Sequence, residues 1–256
     1  MNDPREGRRT ALITGASAGI GLEIARAVTA RGFDSVLVAR RRDRLEELAG
    51  ELAASRDVEP LVVEADLATD GGPDGVARAL ERQGRTVDLL VNNAGLGQFG
   101  SYVDLDPEQE QAQLHVNVVA LTRLTRLLLP AMVERGHGRV LNVASTAAFF
   151  PGPLMAVYYA TKAYVLSYSV ALAEETRGTG VTVTCVCPGP VETEFQEVAG
   201  TRYSKLHRNS VVMGVERVAA ESVEAALAGR TVHVPGVVNK VNAVASRLFP
   251  RGFLAR

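Results

Sequence analysis

The sequence predicts an α/β fold: a Rossmann-like, doubly wound parallel sheet of about seven strands flanked by helices, in three layers α/β/α. Short runs of β-branched residues alternate along the chain with amphipathic stretches such as Asp43 to Leu48, which is the pattern of repeated βαβ units. A glycine-rich turn from Gly15 to Gly21 directly follows the first apolar run. With 256 residues and no long linker or internal repeat, we expect a single domain over residues 1–256.

Taken in order, the elements alternate throughout. Strands are expected near residues 10–14, 34–39, 59–64, 88–92, 138–144, 181–187 and 231–234. Helices fill most of the gaps, the first from Ile20 to about Arg31 and a long one from Glu108 to Arg135. In such sheets ligands bind beyond the carboxyl ends of the strands, so we expect the functional residues there.

The first strand–turn–helix unit has the composition of a phosphate-binding turn. Its spacing is Gly-x-x-x-Gly-x-Gly over Gly15, Gly19 and Gly21. Glycine allows positive φ and close approach of backbone to a ligand, and the N-terminus of the next helix offers free N–H groups and a positive dipole end. A glycine turn that binds nothing is the alternative interpretation.

Tyr158 and Lys162 lie four residues apart, which on a helix places a phenol and an ammonium on one face. A free tyrosine titrates near pH ~10, and a neighbouring cation favours its phenolate. The pair therefore predicts a tyrosine of lowered pKa that exchanges a proton during a reaction. Two solvated helix residues are the alternative.

Together these motifs resemble the short-chain dehydrogenase/reductase family in its single-domain form. The resemblance runs nearly end to end and also includes Asp66, Asn-Asn-Ala-Gly at 92–95, Asn117, Ser145, and Pro188-Gly189 followed by Thr193. It implies hydride transfer to a carbonyl, with Tyr158 giving the proton and Ser145 holding the same oxygen. Lys162 would bond the nicotinamide ribose, and Asn117 would anchor a water. A buried helix asparagine of no special role is the alternative for Asn117.

The resemblance also implies how the dinucleotide lies. Asp66 would meet the adenine amino group with Leu67 alongside, Asn92 and Ala94 would flank the adenosine ribose, and Val191 and Thr193 would hold the carboxamide. The residues expected to bind the cofactor are Gly15, Ser17, Ala18, Gly19, Ile20, Gly21, Arg40, Arg41, Asp66, Leu67, Asn92, Ala94, Gly95, Tyr158, Lys162, Pro188, Gly189, Val191 and Thr193.

The segment after the second strand, Val38-Ala39-Arg40-Arg41-Arg42, contains no acid that could hold the ribose hydroxyl of NAD. A guanidinium pairs with a 2′-phosphate in bidentate fashion. We therefore expect NADP(H) to be preferred over NAD(H), with Arg40 as the principal clamp and Arg41 as its helper. The alternative is surface charge at a solvated helix start.

Composition narrows the kinds of partner, cellular location and metal site that the chain can have. With 28 basic and 29 acidic residues, net charge gives no support for nucleic-acid or anionic-membrane binding, so a small-molecule partner is favoured. The charged N-terminus and the absence of a long uninterrupted apolar stretch predict a cytoplasmic protein without a transmembrane segment. Cys185 and Cys187 are expected in the core, and no metal site is expected. The four histidines, none at a motif position, are expected to be structural or solvated.

The substrate end is expected to be apolar and covered. Phe149, Phe150, Leu154 and Met155 would line the pocket mouth, and the polar stretch near 191–214, with Tyr203, His207 and Met213, has the position and composition of a lid. The amphipathic, locally basic tail near 237–256 would dock on its own domain, contact a second subunit or lie on a membrane. The family resemblance implies a homodimer or homotetramer built on the helices near 108–135 and 157–176.

The resulting hypothesis is an NADP(H)-dependent oxidoreductase that interconverts a carbonyl and a secondary alcohol, acting mainly as a reductase on an apolar small molecule. A dinucleotide-sensing regulator on the same fold is an alternative from another class, and a non-redox enzyme of the same family is a third. A sensor has no need of Ser145, Tyr158, Lys162 and Asn117 together.

Overall fold

The computed structural model describes residues 8–200 and 212–255. Seven strands form one sheet in the order β3-β2-β1-β4-β5-β6-β7, and all neighbouring pairs are parallel. The predicted fold class is confirmed, and each strand begins and ends within two residues of its predicted bounds. The strands are β1 Arg9–Thr14, β2 Phe33–Ala39, β3 Leu61–Glu64, β4 Leu89–Asn92, β5 Gly138–Val143, β6 Val181–Val186 and β7 Val232–His233.

Helices lie between the strands as expected. They are α1 Gly19–Thr29, α2 Arg42–Ser55, α3 Gly72–Arg82, α4 Pro107–Leu114, α5 Leu121–Glu134, α6 Ala156–Glu175, α7 Glu194–Val198, α8 Val215–Leu227, α9 Val237–Ala245 and α10 Arg251–Leu254. Short 3₁₀ turns cover Tyr102–Asp104, Thr146–Phe149 and Ser246–Leu248.

Both faces of the sheet are buried, because alternate residues of each strand point to opposite sides. On β1, Ile13 belongs to a cluster that includes residues of α1, α2 and α8, whereas its neighbour Leu12 belongs to a cluster that includes residues of α3 and α5. These two clusters are the apolar layers of the three-layer sandwich. They explain why the central strands are continuous runs of apolar residues rather than alternating ones.

The long helix predicted from Glu108 to Arg135 differs from the observed structure. Asp106 caps α4, and its carboxylate accepts a hydrogen bond from the Glu108 N–H. A π-helical turn, His115–Ala120, then separates α4 from α5. Such turns carry one extra residue and occur often at functional sites. Here the turn contains Asn117, which is buried.

The helical run Pro107–Glu134 has 28 residues and a mean hydropathy of 1.4, so by length and composition it could cross a membrane. It is the one such helix in the part of the chain that the structure describes. Within the domain α5 packs on α3 and β5, and a core helix of a soluble domain passes the same test.

Strand order reverses between β1 and β4, because the chain runs outward from β1 to β3 and then returns to the other side of β1. At this switch point the loops at the carboxyl ends of the two strands diverge and leave a crevice. The structure places the glycine turn and the loop after β4 on its two sides.

Candidate functional site

The glycine turn after β1 is built by contacts that only glycine permits. Gly15 and Gly19 have φ values of +68° and +56°, in the left-handed region. A Cβ on Gly21 would lie 2.3 Å from the Gly15 carbonyl oxygen, so α1 could not begin this close to the turn with any larger residue. Ser17, Ala18, Gly19 and Ile20 consequently line the crevice, at the start of α1.

The loop after β4 is fixed to this turn by Thr14. The Thr14 hydroxyl accepts hydrogen bonds from the N–H groups of Asn93 and Ala94, both at 3.0 Å, and Asn93 donates its side-chain amide to the Thr14 carbonyl at 2.9 Å. Ala94 and Gly95 line the crevice beside Asn93. Sequence reasoning missed Thr14 and Asn93, although both belong to motifs that it used.

Asn92, predicted to flank the adenosine ribose, does not line the crevice, and its side chain points into the core. It is 3% exposed and donates hydrogen bonds to the Thr125 hydroxyl and the Asn142 side-chain carbonyl. Successive residues of a strand point to opposite faces, so Asn92 and Asn93 differ in direction. Asn92 therefore links β4 to β5 and to α5 within the core.

At the far end of the crevice Arg40 and Arg41 both lie on the wall, together with Asp66 and Leu67. The side chain of Arg41 is held on two sides: it donates to the Ser17 hydroxyl at 3.1 Å and forms a 2.8 Å ion pair with Glu194 of α7. Arg44 also pairs with Glu194, and these two hydrogen bonds hold the pKa of Glu194 below its usual value. Both arginines are exposed, but the structure positions Arg41 through its contacts with Ser17 and Glu194.

The predicted catalytic residues meet at the carboxyl end of β5. Ser145 follows that strand, and its hydroxyl oxygen accepts a hydrogen bond from the Ala147 N–H at 3.1 Å. The Lys162 ammonium donates to the Val143 carbonyl at 2.9 Å and lies 5.7 Å from the centre of the Tyr158 ring. Ser145, Tyr158 and Lys162 all line the same cavity.

Asn117 lies directly behind this group. Its side-chain carbonyl accepts from the Leu96 N–H at 2.8 Å, and its amide donates to the Leu96 carbonyl and to the Thr161 hydroxyl. The side chain therefore ties the π-helical turn to the loop after β4 and to α6. It acts on the site through Leu96 and Thr161.

Burial controls the ionisation of the two reactive groups. It raises the pKa of Tyr158 to about 12, and the hydrogen bond with Ser145 opposes this rise. Burial also lowers the pKa of Lys162 to about 8, because an ammonium loses hydration there. The sequence predicted a lowered Tyr158 pKa, and the structure shows the reverse. The hydrogen bond with Ser145 is the contact that lowers the Tyr158 pKa towards the phenolate.

The segment after β6 closes the cavity opposite the glycine turn. Pro188, Gly189, Val191 and Thr193 line it, and the Thr193 side chain lies 3.1 Å from where a Cβ on Gly19 would be. A Cβ on Gly189 would clash with the Asn239 side chain at 2.5 Å, so Gly189 admits Asn239 of α9 to the wall. Asn239 carries no motif signal and was not predicted.

The cavity has a volume of about 1160 Å³. Its mouth is apolar and includes Phe150, Leu154 and Met155, as predicted, together with Phe195 of α7, whose ring centre lies 5.4 Å from that of Tyr158. Phe149 does not line the cavity and instead packs against the buried cluster that includes Val165. Leu154 has a φ of +67°, a strained value for leucine.

Residues 201–211 of the predicted lid, including Tyr203 and His207, lie outside the described residues. Its described ends are joined, since Val191 and Met213 form a β-bridge. Cys185 and Cys187 are buried free thiols 3.9 Å apart. Within residues 8–200 and 212–255, no group of three or more His, Cys, Asp and Glu side chains could hold a metal ion.

Comparison with known proteins extends these observations. Residues 9–203 match the family model described as short chain dehydrogenase. Nodulation protein G of Rhizobium sp. (strain N33) is 34% identical, over 89% of this chain and 96% of that protein. The very-long-chain 3-oxoacyl-CoA reductase of Anas platyrhynchos is 33% identical over 76% of this chain. The chain covers 64% of that reductase, slightly under two-thirds of its length.

Two solved structures are similar over nearly the whole chain. A short-chain dehydrogenase from Sphingobium yanoikuyae in complex with NADPH is 33% identical, with a TM-score of 0.84, and 94% of this chain and 93% of that chain are covered. A 7β-hydroxysteroid dehydrogenase is 28% identical with a TM-score of 0.84, covering 96% of this chain and 95% of that chain.

Proposed function

The chain belongs to the short-chain dehydrogenase family, and on that basis we propose that it is an NADP(H)-dependent oxidoreductase that interconverts a carbonyl and a secondary alcohol of an apolar small molecule. The observation that carries the proposal is one cavity with a phosphate-binding turn at one end and Ser145, Tyr158 and Lys162 at the other. An extended dinucleotide can reach from the glycine turn to these three side chains. A sensor that only binds the dinucleotide does not need Ser145, Tyr158 and Lys162.

The residues present fit a dinucleotide. Gly15 and Gly19 line the cavity, where the residues at the start of α1 can offer N–H groups to a pyrophosphate. Gly21, also predicted to bind the cofactor, does not line the cavity and instead lets α1 pack against the Gly15 carbonyl. When bound, the nicotinamide supplies or accepts the hydride. Val191 and Thr193 would hold its carboxamide, and Lys162 would hold its ribose.

Side chains of the protein itself, rather than the cofactor, would supply the proton. As a carbonyl gains a hydride, negative charge develops on its oxygen and has to be stabilised and protonated. With a pKa of about 12, Tyr158 keeps its proton at neutral pH and can donate it to that oxygen. Ser145 lies beside Tyr158 and donates a hydrogen bond to the same oxygen. A protonated tyrosine is the form that reduction of the carbonyl requires.

The preference for NADP(H) is supported by the basic rim at the adenosine end. β2 is followed by Arg40, Arg41 and Arg42, with no acid before Asp43, and Arg41 is oriented over the start of α1 by Ser17. A guanidinium fixed in this way can form a bidentate pair with a 2′-phosphate. The Sphingobium relative was solved with NADPH, which is consistent with this preference. We assign Arg41 as the principal clamp and Arg40 as its helper, the reverse of the order expected from the sequence.

An apolar substrate is supported by the mouth of the cavity, where Phe150, Leu154, Met155 and Phe195 meet. Relatives named as 3-oxoacyl-CoA reductases and a hydroxysteroid dehydrogenase act on molecules with large apolar parts.

We also propose a homodimer or homotetramer packed through α5 and α6, because Val119 beside α5 and Val170 on α6 are 47% and 43% exposed. A cytoplasmic location remains a proposal.

The test is titration of the purified protein with NADPH and NADH, followed by oxidation of the preferred cofactor with ketones and aldehydes of increasing size. We expect tighter binding of NADPH and turnover that improves with apolar size. Tyr158→Phe is the matched control, because it removes one oxygen atom. It should lower turnover by at least ~100-fold and leave NADPH binding near normal. Turnover retained in Tyr158→Phe, or the absence of cofactor binding, would refute the proposal.

A further inference from the structure

The C-terminal segment has its apolar face outside. On α9, Val237, Val241 and Val244 are 76%, 61% and 64% exposed, and they lie on one side of the helix because residues three and four apart share a face. The opposite side holds Asn239 and Ala243, which are buried. A helix docked on a soluble domain normally has the reverse arrangement.

The exposed apolar face continues past α9. Leu248 is 79% exposed and Phe253 is 63% exposed, and the rings of Phe249 and Phe253 stack at 5.3 Å. We call the exposed side chains Val237, Val238, Val241, Val244, Leu248, Phe249 and Phe253 the C-terminal apolar face. Single exposed apolar residues are ordinary, but a contiguous set of this kind marks an interaction surface.

The charged side chains within the C-terminal segment itself have one sign. Glu224 is the last acidic residue in the sequence, so every charged side chain after it is basic. Lys240 and Arg251 are exposed within the segment. Basic groups beside an exposed apolar helix face are typical of segments that lie in the surface of an anionic bilayer.

The same segment forms one wall of the catalytic cavity. Val238, Asn242, Phe249 and Leu254 line it together with Tyr158 and Phe195. The C-terminal apolar face and the apolar mouth of the cavity are therefore adjacent. A molecule that dissolves in lipid could move from one to the other without crossing water.

We propose that the C-terminal apolar face binds the surface of an anionic lipid membrane and that the apolar substrate enters the cavity from that membrane. The occupant is a bilayer rather than a second copy of the chain, because a two-fold contact would bring the same basic segment against itself. The entry route rests on the proposed function, whereas membrane binding does not.

Co-sedimentation of the full chain with lipid vesicles tests the binding without any turnover. We expect binding to phosphatidylcholine vesicles that contain about one-third phosphatidylserine, and weaker binding to pure phosphatidylcholine or in high salt. The double variant Val241→Asp, Val244→Asp should reduce binding at least ~10-fold, because two valines no longer enter the apolar layer. Neither valine lines the cavity, so NADPH binding should not change.

Val133→Asp is the matched control. This valine is 38% exposed near the end of α5, by the amino ends of the strands and away from the cavity mouth. It should bind vesicles as the unmodified chain does. Failure of the unmodified chain to bind anionic vesicles, or equal binding by the double variant, would overturn the proposal. An oligomer that the double variant dissociates would assign the face to a second copy and would also overturn it.

Discussion

Replacement of Lys162 by methionine should stabilise the folded protein while it removes activity. Lys162 is 5% exposed, and burial lowers its pKa from 10.5 to about 8. Each pKa unit corresponds to ~1.4 kcal/mol, so keeping this lysine charged in the fold costs ~3 kcal/mol at pH 7. Methionine fills a similar volume without charge, but it leaves the Val143 carbonyl without its partner at a cost of ~1 kcal/mol.

The net expectation is a gain of ~2 kcal/mol in the free energy of unfolding at pH 7, or a rise in Tm of roughly 4–8 °C for a domain of this size. Because the folded pKa is lowered, the penalty is complete below about pH 8 and disappears as the pH rises towards 10.5. The advantage of the variant should therefore shrink by ~2 kcal/mol between pH 7 and pH 9.5.

The assay is thermal unfolding of the cofactor-free protein, followed by circular dichroism at both pH values. Lys240→Met is the matched control, because Lys240 is exposed and its removal should change neither Tm nor the pH dependence. A Lys162→Met protein that is less stable than the original at pH 7, or whose advantage does not change with pH, would refute the argument from burial.

Three further predictions follow from the cofactor end of the cavity. Arg41→Ala should weaken NADPH binding ~10- to 100-fold with little effect on NADH, and more than Arg40→Ala does, as measured by fluorescence titration; an equal loss for both cofactors would contradict the clamp assignment. Glu194→Gln should tighten NADPH binding ~2- to 5-fold, since it frees Arg41 from an exposed ion pair, and unchanged affinity would show that Glu194 does not compete. Gly21→Ala should lower Tm and weaken both cofactors, because its Cβ would meet the Gly15 carbonyl, and a normal Tm would contradict that packing.

Most of the fold follows from local pattern. The β-branched runs predict β1 to β7, because strands that are buried on both faces have continuous apolar sequences. Such a run can be recognised from neighbouring residues alone. Ser145, Tyr158 and Lys162 were identified from motif and spacing, and the structure brings them to one cavity.

The rest depends on information that a single sequence does not carry. The side chains of Asn92 and Asn93 go to opposite faces, and one position of strand register decides which of them faces the crevice. The pKa of Tyr158 depends on burial, which raises it by more than the hydrogen bond with Ser145 lowers it. The roles of Asn239 and Glu194 arise from contacts across more than 40 residues of chain.

The π-helical turn at His115–Ala120 has a consequence for register. One residue more than an α-helix needs rotates everything before it by ~100° relative to everything after it. As a result α4 faces α6 while α5 faces α3 and β5, and one continuous helix could not present both surfaces. Deletion of a single residue from this turn would rotate Asn117 around the helix axis, away from Leu96 and Thr161, and would so remove its hydrogen bonds to the site.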